Sequence, residues 1–166
     1  MTTPLTPKAI RALLLASVLA GHAGGLAYAE PAARQYHNGN FGFTLKLADG
    51  MSDYKSVTSP EGITLTSPDG LAVVNIFGSM NEGGKPLEEI IDQYKRDAPD
   101  AEITYEWYGR NAAVLSGYQG GDIFYVRIAM SPDGSRVAVL NMIYAPEMNR
   151  QLDPVVAQLS TSLSVR

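Results

Sequence analysis

Four polar side chains stand within stretches of sequence that are otherwise apolar. Tyr125 and Arg127 alternate with apolar residues in one such stretch, and Asn75 and Asn141 each interrupt another. Because a buried polar group without a partner costs about 1–3 kcal/mol, these side chains must bond to one another, to a helix end or to a ligand. Satisfied internal networks are the usual arrangement. The set is therefore either a structural network or a candidate ligand- or partner-binding site.

Residues suited to nucleophilic catalysis form no recognisable motif. After the first 29 residues, His37 is the only histidine, and it lies in a polar stretch before the first predicted strand. Ser116 lies in an L-S-G sequence that lacks the upstream glycine of a G-x-S-x-G nucleophile elbow. We interpret Ser116 as a small strand residue. The sequence predicts no catalytic residue and a protein that is not an enzyme.

The sequence also argues against a metal or cofactor site. It has no cysteine and, after residue 29, one histidine, so the usual zinc ligands are lacking. Asp97, Asp100 and Glu102 do not have the spacing of a calcium-binding loop, and we interpret them as a solvated acidic loop. The glycine-rich stretch 81–86 lacks the phosphate-loop pattern and predicts a flexible connection.

Carboxylates leave one enzymatic alternative open. Glycoside hydrolysis needs two carboxyl groups whose separation in space, not in sequence, defines the site. Glu102, Glu106 and Asp122 are the candidates, although each is also typical of an ordinary surface residue. A small hydrolase that works through carboxylates therefore remains the alternative.

The first 29 residues have the three parts of a secretory signal peptide. Lys8 and Arg11 supply the positive charge, residues 12–20 are apolar, and residues 27–29 form an A-x-A cleavage site. Glycines from position 21 onward interrupt the apolar stretch before it reaches the roughly 20 residues that a membrane span needs. We predict cleavage after Ala29, no stable membrane anchor afterwards, and a periplasmic or secreted protein.

Length and charge limit what the rest of the chain can be. Residues 30–40 are polar and without period, which predicts an N-terminal arm, and residues 41–166 have the length of a single domain. The whole sequence has a net charge of −4, to which residues 1–29 contribute only positive charges. Because the remaining chain is acidic, no nucleic-acid partner is predicted.

Local patterns predict strands joined by related turns. Residues 41–47 alternate in polarity, as a strand with one buried face does. The S-P-D-G sequences at 67–70 and 131–134 predict bulged hairpins with a left-handed glycine, and S-P-E-G at 59–62 shares their chemistry. The two hairpins join 63–67 to 71–78 and 123–130 to 136–144.

Two helices and a further strand pair complete the pattern. Residues 86–97 have an apolar face and suitably charged ends, and residues 147–163 have helical spacing with Pro154 inside it. This second helix either begins near Asp153 or is kinked there. Residues 102–108, with Ile103, Tyr105 and Trp107 on one face, pair with 112–118. The order β-β-β-α-β-β-β-β-α predicts an α+β fold, an antiparallel sheet flanked by helices.

Several stretches are shared with a known family. They are Tyr36-x-Asn38-x-x-Phe41-Gly42-Phe43, the turn Thr66-Ser67-Pro68-Asp69-Gly70, Leu115-Ser116-Gly117 with Ile123-Phe124-Tyr125, and Tyr144-Ala145-Pro146 before a helix with Asp153-Pro154. In these the chain resembles small exported bacterial members of the PsbP/Mog-like superfamily. The resemblance implies an α/β/α sandwich and a role in binding or assembly, since members include an extrinsic photosystem subunit and a Ran-binding import factor. No partner-binding residue can be carried over, because no motif here matches one.

The sequence therefore predicts an exported, non-catalytic binding or accessory protein whose partner is a protein or a small ligand. The alternatives are the carboxylate-dependent hydrolase and a secreted effector or the immunity-type protein that neutralises one. A deep cleft lined by carboxylates would favour the hydrolase, whereas a broad apolar or aromatic surface would favour the binding module.

Overall fold

The structure is a computed structural model that describes residues 35–166. The predicted signal peptide, residues 1–29, and residues 30–34 of the predicted arm lie outside the described residues. Between residues 35 and 166, no helix has both the length and the apolar character needed to cross a membrane.

Strands dominate the described part of the chain. The strands are β1 (Gln35–Asn38), β2 (Phe43–Lys46), β3 (Lys55–Thr58), β4 (Gly62–Thr66), β5 (Ala72–Met80), β6 (Glu102–Tyr108), β7 (Ala112–Gln119), β8 (Asp122–Met130), β9 (Arg136–Tyr144) and β10 (Ser164–Val165). The α-helices are α1 (Leu87–Asp97) and α2 (Asn149–Ser162), and a 3-10 turn at Pro146–Met148 precedes α2.

The strands form two antiparallel sheets. The main sheet has seven strands in the order β3-β4-β5-β9-β8-β7-β6, and a small sheet has the order β1-β2-β10. Strands β3 and β6 are therefore the two edges of the main sheet. The fold is α+β and mainly antiparallel, as the sequence predicts.

The two helices lie on opposite faces of the main sheet. Successive residues of a strand point to opposite faces, and in β9 Val139 belongs to the core under α1 while Leu140 belongs to the core under α2. Leu87 and Ile91 are the buried residues of α1. The buried apolar residues of α2 are Leu152, Val155, Val156 and Leu159. Full burial of each such side chain contributes about 1.5–3 kcal/mol, so these stripes hold both helices on the sheet.

The two S-P-D-G turns have the predicted conformation. Gly70 and Gly134 both have a φ of 73°, and the turns join β4 to β5 and β8 to β9. In each turn the serine hydroxyl donates to the aspartate, Ser67 to Asp69 and Ser131 to Asp133, both at 2.6 Å. The aspartate thus fixes the turn, and the glycine closes it.

The S-P-E-G sequence differs from these two turns. Gly62 begins strand β4 instead of closing a turn in the left-handed conformation. A Cβ at Gly62 would lie 1.9 Å from the carbonyl oxygen of Ile76. Close approach to β5, not φ, therefore demands this glycine.

Three short strands are absent from the sequence-based prediction. Residues 35–38, predicted as part of the N-terminal arm, form β1 and pair with β2. Strands β3 and β10 are also not predicted, because β3 is exposed throughout and β10 has only two residues. Pro154 lies within α2 instead of starting it. The backbone carbonyl that Pro154 leaves without an N–H partner belongs to Arg150, an exposed residue.

Candidate functional site

Half of one sheet face carries side chains that α2 does not cover. Residues paired across antiparallel strands point to the same face, so register places the α2-facing side chains in three rows. The first row is Trp107, Val114, Arg127 and Leu140; the second is Tyr105, Ser116, Tyr125 and Met142; the third is Tyr118, Ile123 and Tyr144.

Helix α2 lies over one end of these rows only. Leu140, Met142 and Tyr144 of β9 are buried, whereas Tyr105, Trp107 and Tyr118 are 53%, 44% and 47% exposed. Between α2 and β6 lies an open cleft of about 630 Å³, a volume that accommodates a small ligand. We call it the aromatic cleft. Its floor is β7 and β8, one rim is β6, and its α2 wall consists of Asn149, Asp153, Val156, Ala157, Ser160 and Thr161.

A hydrogen bond joins the floor of the aromatic cleft to its α2 wall. The hydroxyl of Tyr125 lies 2.6 Å from Oγ of Ser160, and Ser160 is 7% exposed. Burial raises the pKa of Tyr125, and the bond to Ser160 and the charge of Arg127 oppose that shift. Tyr125 is thus a neutral positioning residue that fixes α2 against β8.

Arg127 presents an unpartnered donor in the floor of the cleft. Its Nε is buried and has no hydrogen-bond partner among the described residues. No ion pair joins Arg127 to a carboxylate of residues 35–166. Because a buried donor without a partner is costly, the Nε of this half-buried side chain is a candidate donor to a ligand in the cleft.

The opposite end of the cleft is acidic. Asp153 lines it beside Tyr144, whose pKa is raised to about 12 by burial and then by the charge of Asp153. The hydroxyl of Tyr144 donates to Oδ1 of Asn149 at 3.5 Å, which is a weak bond. The cleft therefore has a cationic and an anionic end.

The position of Trp107 on the rim depends on the glycine two residues later, Gly109. A Cβ at Gly109 would lie 2.5 Å from Cη2 of Trp107, so the indole packs over the backbone of Gly109. The sequence predicts Ile103, Tyr105 and Trp107 on one face, but the register shifts between Ile103 and Tyr105. This bulge leaves Ile103 in the α1 core and places the two aromatic residues on the cleft side.

The predicted set of four polar residues is divided between the two faces of the sheet. Tyr125 and Arg127 lie in the aromatic cleft, whereas Asn75 and Asn141 pair directly with each other across β5 and β9 on the other face. Asn141 is paired with Val126, so both side chains point to the same face of the sheet. Tyr125 and Arg127 are the residues on either side of Val126, and they therefore point to the opposite face. The four side chains therefore cannot form a single network.

The asparagine pair has its own surroundings. Thr64 Oγ1 donates to Asn75 Oδ1 at 2.8 Å, while Oδ1 of Asn141 is buried and has no partner in residues 35–166. Both residues line a shallow depression of about 220 Å³ next to Phe77. This depression is smaller than the aromatic cleft and holds no charged side chain among its described lining residues.

The three carboxylates considered from the sequence do not line the aromatic cleft. Glu106 lies on the α1 side, where Lys95 Nζ donates to it at 2.8 Å and Tyr108 donates a second bond. The bond from Lys95 is the main reason that the pKa of Glu106 is lowered. Glu102 and Asp122 are not among the residues that line the cleft. Asp153, considered from the sequence only as a possible helix start and not as a site residue, is the one carboxylate in the described lining of the cleft.

Other groups considered from the sequence are also placed. Ser116 lies in the floor of the cleft, but His37 is in β1, an exposed position in the small sheet. Within residues 35–166, no group of three or more His, Cys, Asp or Glu side chains is arranged to hold a metal ion.

Comparisons with known proteins establish the fold. No protein-family model and no curated protein matches the sequence. The solution structure of cyanobacterial PsbP (CyanoP) from Synechocystis aligns with a TM-score of 0.59 at 9% identity, over 89% of this chain and 99% of that one. The crystal structure of LpqN, described as involved in cell envelope biogenesis of Mycobacterium tuberculosis, aligns with a TM-score of 0.55 at 16% identity, over 79% of this chain and 88% of that one.

These likenesses confirm the predicted resemblance at the level of the fold. The chain has the PsbP-like fold, with an antiparallel sheet between helices. Identities of this size show the fold alone, so function must be argued from the cleft.

Proposed function

We propose that this protein is a non-catalytic binding or accessory protein that acts outside the cytoplasm, and that the aromatic cleft is its binding site. The observation that carries the proposal is the cleft itself, which combines half-exposed aromatic side chains with the buried, unpartnered Nε of Arg127. Aromatic residues and arginine are the side chains that most often dominate binding energy at recognition sites.

Two further observations support the proposed location. The first 29 residues have the sequence of a cleavable signal peptide. One structural neighbour is described as involved in cell envelope biogenesis. Both fit a protein that works in or beyond the cell envelope.

The cleft gives less support to the hydrolase alternative. A pair of carboxyl groups about 5–10 Å apart is the requirement for glycoside hydrolysis, and the cleft offers Asp153 alone among its described lining residues. The aromatic rim is the feature that favours a binding module.

Formaldehyde crosslinking in the native envelope tests the proposal. Three forms are compared: the wild type, Arg127→Met, and Arg96→Met, which removes the same charge from the exposed surface of α1. We expect a crosslinked partner with the wild type and with Arg96→Met, and its loss with Arg127→Met without any fall in the melting temperature. A folded Arg127→Met protein that still recovers the same partner would overturn the assignment of the cleft.

A further inference from the structure

We propose that the aromatic cleft takes an elongated ligand that ends in an oxyanion, a carboxylate or a phosphate, with the oxyanion bound to Arg127 and a flat ring of the ligand against Trp107. This inference rests on the proposed binding function and specifies the chemical class of the ligand.

The first step of the argument is the state of Arg127. A guanidinium has five N–H donors in a planar fork that matches the two oxygens of a carboxylate or phosphate. In this chain acidic residues outnumber basic ones, 17 to 13, yet no carboxylate of the described residues pairs with Arg127. The hydroxyl of Tyr125, its neighbour in the next row, is already bonded to Ser160. Among residues 35–166 no acceptor is bonded to the buried Nε of Arg127, so a bound ligand can supply one.

The second step is the orientation that charge imposes. The charge of Asp153 acts on Tyr144, a residue of the third row. Arg127 is in the first row, four residues further along β8 than Ile123 of the third row. Four residues of strand span about 13 Å. An oxyanion is attracted to the Arg127 end and repelled from the Asp153 end, so one end of the ligand is fixed and its body extends along the cleft.

The third step is the position of the aromatic rim. Trp107 is in the same row as Arg127 and two strands away, which corresponds to about 10 Å between backbones. Tyr105 is the next residue along the same rim, and both side chains are about half exposed. A planar group attached to the oxyanion can stack on this rim, a contact that adds to the affinity beyond its buried area.

The chain contains a built-in reporter for the test. Trp107 is its one tryptophan, so intrinsic fluorescence reports directly on the rim of the cleft. The probes are 3-phenylpropionate and phenyl phosphate as the two oxyanions, with 3-phenylpropanamide as the neutral counterpart. We expect saturable changes in Trp107 emission with both oxyanions, and binding of the amide that is at least tenfold weaker.

Variants separate the charge from the cleft. Arg127→Gln should weaken binding of both oxyanions at least tenfold and leave the amide unchanged, whereas Arg96→Gln on α1 should change neither. Should Arg127→Gln fail to fold, Arg127→Lys and the salt dependence of the wild type replace it. Lysine should weaken binding of both oxyanions, because a point charge cannot reproduce the bidentate fork, and added salt should weaken both oxyanions further.

Two results would overturn the inference. If the amide and the carboxylate bind equally well and Arg127→Gln changes neither affinity, the cleft binds ligands but does not require an oxyanion. The inference would also be rejected if the Trp107 emission of the wild type did not change with either oxyanion at 10 mM. This concentration corresponds to the weakest affinity that such small probes should show. The binding function is then judged separately, by crosslinking from the cleft.

Discussion

The hydroxyl of Tyr125 lies 2.6 Å from Oγ of Ser160, and this is the one side-chain hydrogen bond that joins the floor of the aromatic cleft to α2 within the described residues. Tyr125 belongs to β8 and Ser160 to the last turn of α2. Their bond sets how far α2 stands from the sheet at the end of the cleft nearer to Arg127.

Tyr125→Phe should therefore destabilise the protein. The substitution leaves the hydroxyl of Ser160, which is 7% exposed, without its partner, at a cost of about 1–3 kcal/mol. Urea denaturation measures the change in the free energy of unfolding. Tyr105→Phe, at an exposed position, is the matched control and should have no effect. The double variant Tyr125→Phe, Ser160→Ala should recover most of the loss, and a single variant as stable as the wild type would contradict the bond.

Arg127→Met should leave the melting temperature unchanged or raise it. The substitution keeps the apolar part of the side chain and removes a buried donor that has no partner in residues 35–166, so no intramolecular bond is lost. Thermal unfolding measures the outcome. Leu140→Ala, at the fully buried neighbour in the same row, shows that the assay responds and should cost about 2–5 kcal/mol. A fall of more than about 4 °C for Arg127→Met, roughly 1 kcal/mol, would mean that the arginine stabilises the fold.

Gly134→Val should destabilise the β8–β9 hairpin. Gly134 has a φ of 73°, and a β-branched side chain is strained there by about 1 kcal/mol or more. The denaturation midpoint should fall. Gly39→Val is the control, because Gly39 has no positive φ and its Cβ would meet no atom closer than 4.0 Å. An unchanged midpoint for Gly134→Val would refute the left-handed turn.

Asp133 should titrate with a pKa of about 2. The hydrogen bond from Ser131 lowers its pKa from the ordinary 3.8, and bonds from Ser135 lower it further. Since the folded value lies below the unfolded one, the stabilisation from this carboxylate is complete above about pH 4 and is lost as the pH falls to about 2. Carbon-13 NMR of the side-chain carboxyl measures the midpoint. Ser131→Ala should raise it, and a wild-type midpoint at 3.8 would contradict the hydrogen-bonded turn.

Features that depend on neighbouring residues could be predicted from the sequence. The S-P-D-G turns and α1 follow from chemistry within a few residues, such as a proline with fixed φ at position 132 and Glu88 at the positive end of the helix. Strand β10 is different, since its two residues become a strand only through pairing with Thr44 and Phe43, more than a hundred residues earlier.

The cleft depends on register, which local patterns do not contain. The sequence identifies Tyr125 and Arg127 as exceptions in an apolar strand, but their separation from Asn141 depends on the pairing of β8 with β9. The bulge between Ile103 and Tyr105 turns Tyr105 and Trp107 toward the cleft, and no residue type marks it. Asp153 and Ser160 join the site only because α2 packs across β9 and leaves β6 and β7 open.

Site-specific photo-crosslinking tests the binding site most directly. Benzoylphenylalanine is placed at position 107, on the rim of the cleft, and in a second protein at position 77, where Phe77 is 40% exposed compared with 44% for Trp107 but lines the depression on the other face. After irradiation in the native envelope, the mass of the recovered protein is measured. We predict an adduct at position 107 that is absent at position 77. Equal labelling at the two positions, or labelling at position 77 alone, would contradict the assignment of the aromatic cleft as the binding site.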